Sequence, residues 1–141
     1  MTIFINFSHK DIAFATRLVN QLSFHNVQGC IEAWEAADSD QLIEKVKNSE
    51  TGTKIILFIL SKASMASDWF SQKLTEKLLC ELEEKAAIVF PVIIEDVAVP
   101  ELAGGRLYMD CRTDLGRGLY SVAKEVANIS KLSQHSFSLQ H

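Results

Sequence analysis

The amino-acid sequence predicts an α/β domain: one five-stranded parallel sheet, doubly wound, with helices on both faces. Three observations predict it. Two apolar runs, Ile55 to Leu60 and Ala87 to Ile94, are continuous rather than alternating, the pattern of strands covered on both sides. Segments of strand composition alternate with segments whose apolar residues recur at helical spacing, as in strand–helix–strand units. The chain has 141 residues, 48% hydrophobic and 23% charged, with only 6 Gly and 2 Pro. That suffices for one core burying roughly two thirds of the unfolded surface, and it excludes disordered and fibrous classes.

The elements follow in order. Ile3 to Phe7 is a short β-prone run, ended by the polar Ser8-His9-Lys10-Asp11. From Asp11 the apolar residues Ile12, Ala15, Leu18, Val19 and Leu22 predict an amphipathic helix that ends near Asn26. Gly29 to Trp34 is a second strand with a weak pattern. After the acidic stretch of Glu35 and Asp38, Ser39 or Asp40 is suited to cap a short helix buried through Leu42, Ile43 and Val46. Residues 48–52 are turn-formers. Ile55 to Leu60 is the expected centre of the sheet. Ser67 reads as the N-cap of one long helix lined by Phe70, Leu74, Leu78 and Leu82.

Pro91 interrupts the fourth strand and predicts a bulge or a place near the edge. Gly104-Gly105 is a turn signal, and Leu107-Tyr108-Met109 a short fifth strand. Leu119, Val122, Val126 and Ile129 mark a final helix. Beyond Ser130 the residues are polar and Ser-rich, so the domain is expected over residues 1–130 with a frayed tail at 131–141.

Charge and cysteine content narrow the function classes. Net charge is −4 and the basic residues are scattered, so no electrostatic footprint for nucleic acid exists. Cys30, Cys80 and Cys111 are odd in number, far apart, and lack zinc-ligand spacing. They are expected to be reduced thiols, with no metal bound. No basic-then-apolar leader and no apolar run of membrane-spanning length occur, so a cytoplasmic location without a membrane partner is expected.

In open parallel sheets the ligand crevice lies beyond the carboxyl ends of the strands where strand order reverses. Five strands fit the flavodoxin-like order, which places that crevice between strands one and three, at Phe7 to Asp11 and Ser61 to Trp69. Three relatives of this architecture lack their signatures here. A receiver domain needs acidic and lysine positions where the chain has Ser8-His9, Ser61 and Asp110-Cys111. A flavodoxin needs a Ser/Thr/Gly-rich phosphate loop after strand one, and a nucleotide triphosphatase needs GxxxxGK[ST].

Three segments in order, Ile3 to Asp11, Ile56 to Ser61 with Ser67-Asp68-Trp69-Phe70, and Val89 to Ile94 with its proline, resemble the TIR (Toll/interleukin-1 receptor) domain family of bacterial type. The resemblance runs from Ile3 to about Ile129. It implies homotypic assembly with other TIR domains through the loop after strand two, here Trp34, Glu35, Asp38, Ser39 and Asp40. The family's frequent proline and glycine are absent from that loop. The resemblance also implies NAD as substrate or ligand, with no prosthetic group, near Phe7, Ser8, Trp34, Ser61 and Trp69.

NAD-cleaving members carry Trp-x-x-x-Glu, whose carboxylate stabilises the positive charge that develops on the ribose as nicotinamide leaves. Here the motif reads Trp69-Phe70-Ser71-Gln72-Lys73. An ammonium at position 73 opposes that charge. Glu76 lies one turn further along the same helix from Lys73, either as a rescuing carboxylate or as the partner in a solvated helical ion pair. Trp69 either seats its helix on the sheet or stacks on a nucleotide. Phe7 and Ser8 either floor a pocket or serve as core residue and loop cap. His9 and His25 have no triad partner in view.

Three functions follow from the resemblance. The first is an immune, antiphage signalling module of the NAD-processing lineage, acting by self-association, with NAD cleavage weak or absent. The second is an NAD glycohydrolase or cyclase, rescued by Glu76 or descended from an active parent altered at residue 73. The third is a sensor that holds a nucleotide without cutting it, in which Lys73 pairs with a pyrophosphate.

Overall fold

The structure is a computed structural model that describes residues 1–27, 29–49, 52–97 and 108–139. Five parallel strands, β1 (Thr2–Phe7), β2 (Cys30–Glu35), β3 (Lys54–Leu60), β4 (Ala87–Ile93) and β5 (Met109–Asp110), form one sheet in the order β2-β1-β3-β4-β5. Every residue of β3 is buried. The continuous apolar run therefore marks the centre of the sheet, as predicted from its lack of alternation. Pro91 pairs with Phe58 of β3, whereas β5 reaches only Val92 and Ile93. The proline thus sits in the penultimate strand, one residue before its described pairing with the short edge strand begins.

Side chains alternate across the pleat and divide the core in two. Ile3, Ile5, Phe7, Leu57 and Ile59 face one side, under α1 (Ile12–Phe24) and α6 (Leu115–Leu139). Phe4, Ile56, Phe58 and Leu60 face the other, under α2 (Ser39–Asn48), α4 (Asp68–Gln72) and α5 (Glu76–Glu84). A one-turn α3 (Lys62–Met65) follows β3. Helix α1 buries Phe14, Ala15, Leu18 and Leu22, while Ile12 at its outer start is about half exposed (49%). Cys30, Cys80 and Cys111 form no disulfide among the described residues. Burial, then the nearby Asp110 carboxylate, pushes Cys111 up to about 11.

Several boundaries differ from the sequence expectation. The long helix expected from Ser67 is two helices. Ser67 does cap α4, its hydroxyl accepting from Phe70 N at 3.2 Å. At the other end Trp69 O accepts from both Lys73 N (2.8 Å) and Leu74 N (3.2 Å), which closes the helix. Thr75 is extended (φ −120°, ψ 164°), and its hydroxyl accepts from Leu78 N at 3.2 Å to start α5. Its β-branched side chain satisfies an N–H that the helix start would otherwise leave open.

Ser39 is the first residue of α2 rather than its cap, a place held by Asp38 without a side-chain bond. A 3-10 turn over Ala36–Asp38 precedes it. The Ser39 hydroxyl turns inward to the fully buried Asn6, accepting from Nδ2 at 3.0 Å. The last helix continues to Leu139, past Ile129, where the apolar periodicity stops. Gly104, Gly105 and Leu107, expected in the turn and strand before Met109, lie outside the described residues.

Where the sheet's amino edge meets the helix carboxyl ends, the buried Lys54 (4% exposed) sends its ammonium to carbonyls of two helix ends in the same layer. Nζ donates to Ser49 O at 2.6 Å, Lys85 O at 3.2 Å and Val46 O at 3.4 Å. Ser49 and Lys85 are the C-caps of α2 and α5. One cation thus satisfies acceptors that both helix ends leave open.

Candidate functional site

The strand order reverses between β1 and β3, so the crevice opens where Phe7-Ser8 and Leu60-Ser61 leave the sheet. Ser8 caps the turn over His9–Asp11, accepting from Lys10 N. Ser61 is fully buried and forms a capping box with Ser64. The Ser61 hydroxyl donates to Asp11 Oδ2, and that bond spans the mouth between the two strands. Burial raises the Asp11 carboxyl above its ordinary value. The Ser61 bond opposes the shift, and the Glu95 charge adds to it. His9 Nδ1 lies 3.2 Å from Glu35 Oε1 in an exposed pair.

A second cluster forms on the α2/α4 side. Trp69 is buried, stacked on Phe58 with ring centroids 6.1 Å apart and planes 22° apart. Its indole N–H donates to Asp40 Oδ1 at 3.0 Å. The other carboxylate oxygen, Asp40 Oδ2, accepts from Lys73 Nζ at 2.8 Å. The Lys73 bond first and the Trp69 bond second hold the Asp40 carboxyl below its ordinary range. Both members of the ion pair are more than half exposed.

Two hollows flank this cluster. One, ≈ 330 Å³, lies towards Glu44 and Lys47. The other, ≈ 410 Å³, lies towards Ala36, Ala37 and Ser67. Asp40, Trp69 and Lys73 line both.

Of the residues singled out in the sequence, the structure brings Trp69, Lys73 and Asp40 together. Phe7 lies in the core beneath α1 and α6, on the opposite face of the sheet from Trp69. Trp34 packs half-buried on the α2 side, with Lys45 Nζ 5.7 Å from its ring centroid. Phe7, Ser8, Trp34 and Ser61 line neither hollow. Glu76 opens α5 beyond the break after Lys73, so the single-helix spacing from Lys73 to Glu76 does not hold. Glu35 and Asp38 are at the end of β2 and at the start of α2, ahead of Ser39 and Asp40.

Sequence reasoning placed Asp40 in an assembly loop and missed its bonds to Trp69 and Lys73. No local signal marks contacts spanning 29 and 33 residues. His25 lies between Phe24 and Tyr120, and its Nε2 is buried without a hydrogen-bond partner among the described residues. Among the described residues no group of three His, Cys, Asp or Glu is placed to hold a metal ion. No described helix is long and apolar enough to cross a membrane.

The sheet order and the switch-point mouth define a flavodoxin-like α/β domain. A solved structure similar in fold, the flavodoxin-like domain of a Synechococcus protein, superposes with a TM-score of 0.57 at 14% identity, covering 96% of this chain and 99% of that one. No curated protein sequence matches the chain. The family model described as TIR domain matches residues 3–123, and the chain belongs to the TIR domain family.

Proposed function

We propose that this TIR domain is a signalling module of the NAD-processing lineage, immune and antiphage in role, that acts by self-association and cleaves NAD weakly or not at all. One observation carries the reading. Where the family's carboxylate is expected, Lys73 presents an ammonium to the hollows beside Trp69, already bound to Asp40 at 2.8 Å. A cation there opposes the positive charge that forms on the ribose as nicotinamide leaves. The loop from Trp34 to Asp40 and the helices beside it are the proposed assembly surface. The alternative is an NAD glycohydrolase or cyclase, rescued by Glu76 or altered at residue 73 from an active parent; the break between α4 and α5, which removes the one-turn spacing of Lys73 and Glu76, favours the first reading.

Two measurements test the proposal. Light scattering against concentration is expected to show growth beyond a monomer, and strictly monomeric behaviour refutes assembly. Incubation with NAD is expected to release no nicotinamide, and robust turnover by the unaltered chain refutes the weak-hydrolase reading. Lys73→Glu alone sets a second carboxylate against Asp40. Recovery of cleavage is therefore expected from Lys73→Glu combined with Asp40→Asn, and to a lesser extent from Lys73→Glu alone.

A further inference from the structure

We propose that the outer face of the α1/α6 layer docks on the α5 face of a second copy, so that chains stack head to tail. This contact rests on the self-association reading and is separate from the loop over Trp34 to Asp40. Helix α1 buries Phe14, Ala15, Leu18 and Leu22, and its exposed line runs through Ala13, Arg17, Asn20 and Phe24. Helix α6 buries Leu119, Val122, Ala123 and Val126, and its exposed line runs through Arg117, Tyr120, Lys124 and Lys131. Residues three, four and seven apart share one side of a helix. Both lines therefore look outward from the sheet.

The two lines meet at an aromatic centre. Phe24 is 79% exposed and Tyr120 52%. The His25 ring stands between them, with its centroid 5.9 Å from that of Phe24 and 5.1 Å from that of Tyr120. Exposed apolar residues scattered singly are ordinary, but here adjoining rings from two helices form a patch. Arg17, Arg117, Lys124 and Lys131 stand along it, and neither line carries an acidic residue. Glu125, half-buried, lies beside the α6 line and not on it. An aromatic centre with a charged rim is the anatomy of a protein interface, in which aromatic and arginine side chains carry most of the binding.

The sign of the rim selects the occupant. The chain as a whole carries a net charge of −4, so a basic face is the exception on its surface and finds its complement on another copy. On the opposite layer α5 buries Leu79 and Leu82 and exposes Glu76, Lys77, Cys80, Glu83 and Glu84. Three carboxylates outweigh one ammonium there, and Glu76, Cys80 and Glu83 follow one line at helical spacing. Complementary charge steers encounter and fixes register. The two faces lie on opposite sides of the sheet, so the contact is heterologous and every added copy leaves one face open for the next.

Light scattering against concentration, on the full chain and two charge-reversed variants, tests the contact. Arg117→Glu with Lys124→Glu makes the α1/α6 face acidic, and Glu83→Lys with Glu84→Lys makes the α5 face basic. All four positions are exposed, and far-ultraviolet circular dichroism confirms that each variant is folded; the single changes Lys124→Glu and Glu84→Lys repeat the test in smaller steps. Each variant alone sets like charges across the contact and is expected to raise the concentration needed for assembly by at least about tenfold. An equimolar mixture of the two is expected to assemble again, because each reversed face then meets its opposite on the other variant. An unaltered chain that stays monomeric refutes self-association and the contact with it. If the unaltered chain assembles and either folded variant assembles equally well, the contact is overturned while self-association stands. A mixture that stays dispersed also overturns it, and loss confined to the α1/α6 variant assigns the basic face to a different polyanion.

Discussion

Replacing Lys54 by methionine keeps an apolar stem of similar length and removes the ammonium that ties two helix ends to the start of β3. In the native state Nζ makes two good bonds, at 2.6 Å to Ser49 O and 3.2 Å to Lys85 O, and a longer one at 3.4 Å to Val46 O. Bonds from a charged donor contribute about 1.5–3 kcal/mol each, and the longest adds little. Against this stands the relief of no longer burying a cation, a sizeable fraction of that gain. A net loss of about 2–4 kcal/mol remains, because the carbonyls of Ser49 and Lys85 lose their partner while the surrounding core stays in place.

For a domain of this size such a loss lowers the melting temperature by roughly 5–15 °C. Urea unfolding followed by circular dichroism, with the slope m compared between the two proteins, measures it. A midpoint shift equivalent to less than about 1 kcal/mol at unchanged m refutes the reasoning. It would mean that water reaches the carbonyls as readily as the ammonium does.

Two further predictions concern the rest of the frame. Gly118→Ala improves helix propensity by about 1 kcal/mol on its own, yet the added Cβ lies 2.5 Å from Cys111 Cβ and Sγ. The variant is therefore expected to be less stable by about 1–3 kcal/mol, and a higher melting temperature would contradict the packing. Asp11 has its carboxyl raised chiefly by burial, so the folded state holds that proton more tightly than the unfolded chain does. Its contribution to stability is present below the ordinary carboxylate value and is lost as pH rises through the raised one. Relative to Asp11→Asn, the unaltered chain is expected to lose stability between about pH 4 and 7. Urea titrations at both values check the sign, and a difference that is flat or grows with pH sinks it.

The strands were legible because full burial leaves a composition signal. Ile55 to Leu60 and Ala87 to Ile93 are apolar without alternation over six and seven residues. The break between α4 and α5 was not legible for the same kind of reason. Phe70, Leu74, Leu78 and Leu82 keep a strict four-residue spacing, and Phe70, Leu74 and Leu82 are buried on one core across the break. Apolar periodicity reports which face is buried and is blind to a short break such as the extended Thr75 within the stripe. Thr75 before Glu76 is the one local sign of a new start.

Ser39 and Lys54 were misread or passed over because propensity assigns polar residues to surfaces and caps. Whether a buried partner waits inside, as Asn6 does for Ser39, depends on strands and helices brought together by the fold.

The candidate site shows the same division between what a residue type fixes and what its neighbours fix. Lys73 in the sequence establishes a sign of charge at the position where the family resemblance expects a carboxylate. The structure adds that this charge is already committed: Asp40 binds the ammonium with one oxygen and the Trp69 indole with the other. The hollows therefore still contain a carboxylate, its pKa lowered by the bonds from Lys73 and then Trp69. Under the proposed function, loss of cleavage has two separable causes, a missing carboxylate at residue 73 and an occupied one at residue 40. A substitution at residue 73 that ignores Asp40 mixes them. Releasing Lys73 by discharging Asp40 alters occupancy without restoring the missing group, and Lys73→Glu restores the group while creating repulsion. Of these variants, the pair of substitutions together places a carboxylate at residue 73 with no like charge at residue 40, which is why the double variant, rather than Lys73→Glu or Asp40→Asn alone, tests the missing group.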